Sequence, residues 1–315
     1  MLIYRFPGKE IIQKTGYFEL FHELPQSGFI VSDFRGENRY VFKEKTIQSK
    51  RYYLKNDIHV IEKEYYLKKA TVLISTLKAI GLKKTVFSRI KELPFDESKD
   101  IALFHELEKA YPNAFVYLFS DEKLGTWIGA SPEILLRKIQ SNGFTISLAG
   151  TKEIDDSSNW SEKEKLEQAY VSDFIEEELN ALQLIDIEKS EIYEHFAGPI
   201  KHLRTDFTFT MDNSDVDSFL KRIHPTPAVS GLPQSLSLEL IEQIESHERG
   251  LYSGYIGEME DDNASIFVNL RCSQIQKGKI YLYLGGGYTI DSDPEKEWIE
   301  TKNKSKTISD LIQKV

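Results

Sequence analysis

Two hydrophobic periods run along the chain. Tyr66, Ala70, Leu73, Leu77 and Ile80 recur at steps of four and three, which predicts an amphipathic helix, and Gly81 stands where a C-terminal cap belongs. Directly after it the stretch KTVFSR (84–89) turns to β-branched and aromatic residues and predicts a strand. Further strands are predicted at 114–119, 126–129, 133–138, 144–148, 265–272 and 279–284, with SDEKLG (120–125) as a hairpin loop. Longer helical patterns cover 161–182, 214–220, 236–246 and 294–313. Asp293 followed by Pro294 is a good start for the last of these. Strands cluster as neighbouring hairpins and helices come in blocks, so the pattern predicts an α+β fold with antiparallel sheets rather than strict βαβ alternation. Residues 1–60 are the least legible, although Val31, Phe34, Tyr40, Val41 and Phe42 suggest short strands. The densest charge cluster, residues 162–165, reads as the solvated face of a helix.

Composition narrows the class. The 315 residues carry 40 Lys and Arg against 50 Asp and Glu, a formal net charge of −10. That argues against nucleic acid or an anionic membrane as a partner, since both need a basic footprint. A 40% hydrophobic and 12% aromatic content supports a sizeable core. The lone Cys272 excludes an internal disulfide framework and a cysteine-based zinc site, and fits a reducing compartment. Arg5, Lys9 and Glu10 interrupt any apolar signal core, and no apolar run approaches the ~18 residues that cross a bilayer. The expectation is one cytoplasmic domain over residues 1–315.

Several residues carry possible chemistry. Glu297, Glu300 and Lys304 share one helix face, where two carboxylates suit a hard cation such as Mg²⁺, or simply an exposed Glu–Lys ladder. Gly285, Gly286 and Gly287 precede that helix and suit either an anion-binding nest or a tight turn. Glu133 sits among apolar residues, which would raise its pKa toward that of a general acid, unless it is an exposed edge-strand glutamate. Lys84 opens a strand where burial suits a general base, with Lys83 as its competitor. His195, His202 and His224 lack paired metal-ligand spacing, and Ser131 lies in no nucleophile elbow.

Taken in order, these segments resemble the chorismate-utilising enzymes. The matching stretches are KTVFSR (84–89), GASPE (129–133), LAGT (148–151), the Glu164/Glu167 helix, His202-Leu203, HPTPAVSGLP (224–233), RGLYSGYIG (249–257), NLR (269–271), GGG (285–287) and SDPEKEWIE (292–300) with Lys304. The resemblance implies two orthogonally packed antiparallel sheets flanked by helices, with the site in the cleft between them. Within the family the chain resembles isochorismate synthase most. Ammonia-using members carry glutamine where Lys84 stands, and pyruvate-releasing members tend to carry threonine where Ala228 stands. Gln234, where the ammonia-using branch usually has lysine, leans the same way.

The resemblance further implies chorismate as substrate, Lys84 as base toward water and Glu133 as acid toward the departing hydroxyl. It implies Mg²⁺ held by Glu167 and Glu300, with Glu164 and Glu297 close by or water-linked. Arg271, Tyr252 and the Gly285–Gly287 backbone would grip the enolpyruvyl carboxylate, with Thr151, His202, Ala228 and Lys304 as further substrate contacts. Menaquinone or catechol siderophore synthesis would consume the product. The alternatives are a salicylate-synthase-like lyase and a trimmed, inactive binding protein. The part ahead of Lys84 is shorter than usual for the family, leaving a reduced segment at 1–60 before a catalytic core at 61–315. Exposed strand edges would then be left for a partner to cover, in a monomer or weak dimer. Leu284, Gly286 and Tyr288-Thr289 also depart from the family pattern.

Overall fold

The strand Phe115–Asp121 shows how the layers are built. Its residues are buried on both faces: Phe115, Tyr117 and Phe119 join an aromatic core, while Val116 and Leu118 join an aliphatic layer under helices. In this computed structural model, which describes residues 1–54, 58–197 and 200–315, every strand pairing is antiparallel.

The first sheet runs, in spatial order, Gly231–Leu232, Lys84–Pro94, Lys279–Tyr288, Cys272–Gln276, Gly125–Ser131, Phe115–Asp121, Leu2–Arg5 and Ile12–Lys14. The second runs Ile185–Lys189, Ile200–Thr210, Asn142–Glu153, Ile134–Ile139, Asn263–Val268, Tyr255–Glu260, Gly28–Ser32, Arg39–Glu44 and Gly16–Phe21, with Tyr193–Ala197 paired beside Ile200–Thr210. Stacked aromatic rings fill the core, including Phe115 on Phe267 at 5.0 Å between centroids.

The helices are α1 (Lys63–Ile80), α2 (Asp100–Ala110), α3 (Glu162–Ala181), α4 (Asp215–Ile223), α5 (Gln234–Ile244) and α6 (Pro294–Ile312). α1 buries Tyr66, Ala70, Leu73 and Leu77 of the anticipated stripe but leaves Ile80 exposed, and it ends at Gly81, whose φ of 67° suits glycine and whose N–H donates to Leu77 O. α6 opens as anticipated, with the Asp293 carboxylate accepting from Lys296 N. α3 and α4 bury Val171, Phe174, Ile175, Phe219 and Leu220 under the second sheet.

Some elements depart from the pattern reading. α2 has only Leu103, Phe104 and Leu107 as an apolar stripe, too few for periodicity to announce it. The N-terminal segment supplies strands to both sheets: Leu2–Arg5 pairs with Phe115–Asp121, and Gly28–Ser32 pairs with Tyr255–Glu260. Phe34 lies in the turn beyond, not in a strand. The strand anticipated over 265–272 is two strands, broken at Asn269-Leu270-Arg271, where Arg271 adopts φ 49°. No helix among the described residues is long and apolar enough to cross a membrane.

Candidate active site

One cavity gathers residues from both sheets. Glu133, Thr151, Glu167, His202, Ala228, Tyr252, Arg271, Gly285, Gly286, Gly287, Glu300 and Lys304 all line it. The wall around Gly287 is set by strand register: Val86 pairs with Gly287 and Ser88 with Gly285 in neighbouring strands. Lys84, at the start of the same strand, is fully buried, whereas Lys83 is exposed, with its amine 5.5 Å from the centre of the Tyr170 ring. The Lys84 amine lies 3.0 Å from Glu167 Oε1 but forms no hydrogen bond among the described residues. Arg249 ties this wall together by donating to Val86 O (3.0 Å) and Val229 O (2.7 Å) while pairing with buried Glu245.

Glu133 occupies the break between the strands Gly125–Ser131 and Ile134–Ile139, and its carbonyl accepts from Val268 N at 2.9 Å. It is buried, not an exposed edge residue. Burial pushes its carboxyl up to about 7, against the smaller opposing pull of Lys84, Arg271 and Lys304. Of those charges, Lys84 acts most on the Glu133 carboxyl.

The three glycines are not a turn. They continue the strand Lys279–Tyr288, and none has a positive φ, so the anion-nest geometry anticipated from the sequence is absent here. What they provide is room. A side chain at Gly285 would strike the Tyr252 hydroxyl, one at Gly286 would lie 3.2 Å from Glu297 Oε2, and one at Gly287 would overlap Glu167. The backbone carbonyl of Gly285 accepts from Lys304 Nζ at 2.9 Å.

Glu167 projects from α3, and Glu297 and Glu300 from α6. Each is drawn to a lysine: Glu167 to Lys84, Glu297 to Lys163 at 2.5 Å, and Glu300 to Lys304 at 2.6 Å. Among the described residues no group of three or more His, Cys, Asp or Glu is arranged to hold a metal as it stands. Glu164, expected beside the others, instead closes a capping box at the start of α3, accepting from Ser161 N at 2.7 Å and from the Ser161 hydroxyl. Burial and the nearby Glu300 push the Glu297 carboxyl upward. Burial acts on Glu300 in the same direction, but Lys304 and Lys163 outweigh it and hold that carboxyl below its ordinary value.

Lys163 is the residue that sequence reasoning missed. It lies in the charge cluster read as solvated, yet it turns inward to the buried Glu297. The available signal was its spacing: residues 163 and 167 share one helix face.

The break at Asn269–Arg271 aims Arg271 into the cavity. Asn269 anchors it, donating to Leu251 O (2.8 Å) and accepting from the Tyr117 hydroxyl (2.7 Å). His202 Nδ1 lies 2.8 Å from the Gly150 carbonyl, to which it donates, and 3.3 Å from Thr151 Oγ1. Its Nε2 therefore turns a lone pair toward Arg271 at 3.5 Å. Burial, reinforced by Arg271 and Lys304, lowers His202 to about 3 and keeps it neutral.

The family model described as chorismate binding enzyme matches residues 31–313. The chain belongs to that family. It is 28% identical to anthranilate synthase component 1 of Aquifex aeolicus, over 67% of this chain and 45% of that one. It is 29% identical to the isochorismate synthase MenF of Haemophilus influenzae, over 66% of this chain and 50% of that one. The chain thus spans about half the length of these curated relatives. Its fold superposes on DhbC from Bacillus anthracis, described as a putative 2,3-dihydroxybenzoate-specific isochorismate synthase, with TM-score 0.83 and 23% identity over 99% of this chain and 95% of that one. The anticipated family, and its two antiparallel sheets with flanking helices, are therefore borne out.

Proposed function

We propose that the protein is a Mg²⁺-dependent isochorismate synthase, adding water at C2 of chorismate and expelling the C4 hydroxyl. The observation that carries this reading is a buried carboxyl favoured as the neutral acid, Glu133, at a cavity whose Glu167 and Gly287 wall is backed by the buried amine of Lys84.

In this reading Lys84 takes a proton from water as the water oxygen bonds to C2. Each ring double bond shifts by one position and the C4–O bond breaks. Glu133 gives its proton to the leaving oxygen, so one water enters and one leaves. Base and acid each typically contribute ~10²–10⁴-fold. Arg271 faces a substrate carboxylate with the planar fork that suits it, and Tyr252 and Lys304 border the same space.

The carboxylate group fits a small divalent cation. Glu167, Glu297 and Glu300 are hard oxygen donors; Glu297 Oε2 is buried without a hydrogen-bond partner among the described residues, and Gly286 leaves the space beside it open. These three residues would hold Mg²⁺, and Glu164 would join only by leaving its cap. When bound, the ion supplies positive charge for the ring carboxylate.

Lysine rather than glutamine at position 84 favours water over ammonia. Ala228 lines the cavity without the hydroxyl carried by pyruvate-releasing relatives, which favours stopping at isochorismate. The H. influenzae relative supports the same assignment. The product would feed a quinone or catechol siderophore route. The test is to incubate purified protein with chorismate, with and without Mg²⁺, and separate the products. Isochorismate formed only with Mg²⁺ supports the reading; salicylate with pyruvate, or no turnover, overturns it.

A further inference from the structure

With Lys84 as the neutral base of the proposed reaction, the carboxylates of Glu167, Glu297 and Glu300 face two ammonium groups, those of Lys163 and Lys304, and one negative charge is left over. A divalent ion arriving among them leaves excess positive charge unless a lysine withdraws. The three lysines are not equally able to leave. Lys84 is fully buried, and Lys304 is also held by the Gly285 carbonyl. Among the described residues Lys163 is bonded to Glu297 alone, and its side chain is 23% exposed while that of Glu297 is 2% exposed.

Its position is also costly. Lys163 sits in the first turn of α3, where the helix dipole disfavours a cation, so the carboxylates opposite must be what holds it there. It stands at a boundary. Glu300 and Thr151 line both the inner cavity and an outer acidic vestibule, whereas Lys163 and Glu297 line only the vestibule side. Asp291 and Asp293 border that vestibule.

We infer that Lys163 is a resident counter-cation: its ammonium offsets one charge of the carboxylate cluster in the ion-free protein and must release Glu297 for a divalent cation to bind. The inference rests on the divalent-cation part of the proposed function. It makes Lys163 a positioning residue that sets ion affinity, acting through Glu297 and not on the substrate.

The test is calorimetric titration of MnCl₂ and MgCl₂ into the full-length wild type, Lys163→Gln and Lys163→Arg. Lys163→Gln is expected to bind either ion roughly tenfold more tightly, as befits removal of a like charge a few ångström away at a partly buried site. Lys163→Arg keeps the charge and is expected to stay near wild type. In chelator, Lys163→Gln is expected to melt below wild type and to recover more on adding Mg²⁺. General loosening of the fold cannot tighten ion binding, so the direction separates this role from a structural one. Equal or weaker binding by Lys163→Gln, with wild type binding normally, overturns the inference and leaves the divalent-ion reading intact. No binding by any of the three proteins overturns both. Binding by Lys163→Gln with none by wild type supports the inference in its strongest form.

Discussion

Gly287 and Glu167 stand so close that any side chain at position 287 would overlap the Glu167 carboxylate and reach 3.1 Å from Lys84 Cε. The glycine therefore reserves the space in which the carboxylate and the amine meet. Gly287→Ala is expected to lower kcat/KM about 10²-fold, the scale of a displacement near 1 Å in a catalytic constellation. Gly286→Ala, whose Cβ would approach closely only the far end of the Glu297 side chain, at 3.2 Å, is expected to cost less. Steady-state kinetics on both variants checks the order, and a larger loss at 286 would contradict it.

Lys84→Gln keeps much of the side-chain volume but cannot accept a proton from water. Turnover is expected to fall by ~10²–10⁴-fold while chorismate still binds. Binding measured by calorimetry beside kcat separates the two effects. A variant with wild-type kcat would remove Lys84 from the base role.

Glu133 gives a signed pH dependence. Its carboxyl is raised from 4.5 to about 7, chiefly by burial, and the acid role needs the proton. kcat/KM is therefore expected to fall about tenfold per pH unit above 7, and Glu133→Gln is expected to lose turnover. Stability follows the same proton. Between pH 4.5 and 7 the folded chain binds it more tightly than the unfolded chain, so this residue's contribution declines as pH rises through that window. Melting temperatures of wild type and Glu133→Gln across that range should converge at low pH and separate as pH rises, with wild type the lower.

His202 behaves in the opposite sense. Its value is depressed from 6.5 to about 3, so its contribution to stability is present above pH 6.5 and declines as pH falls toward 3. Nitrogen-15 spectra of the imidazole at pH 5 are expected to show the neutral ring protonated at Nδ1. A doubly protonated ring at that pH would contradict the Gly150–His202–Arg271 arrangement.

The sequence makes some levels of this structure plain and hides others. The stripe of α1, its end at Gly81 and the start of α6 at Asp293 depend on local spacing, and they stand where the pattern puts them. α2 and the strand Ile200–Thr210 are short or interleaved with charge, so burial by distant partners decides them. The glycine run illustrates the limit at the site. Composition suggested a turn or an anion nest, yet pairing with the strand Lys84–Pro94 keeps it extended, and its function is to admit the neighbouring carboxylates. Lys163 was hidden for a related reason: its spacing puts it on the same helix face as Glu167, but it is the approach of α6 that turns this lysine of a charged run inward.

Isotope tracing is the most direct measurement of water addition at C2. Chorismate is converted by the Mg²⁺-loaded protein in ¹⁸O-enriched water and the product is examined by mass spectrometry. The expected result is isochorismate carrying one labelled oxygen, located at the C2 hydroxyl. An unlabelled product, or a product aminated when ammonia is present, would contradict water as the nucleophile at Lys84.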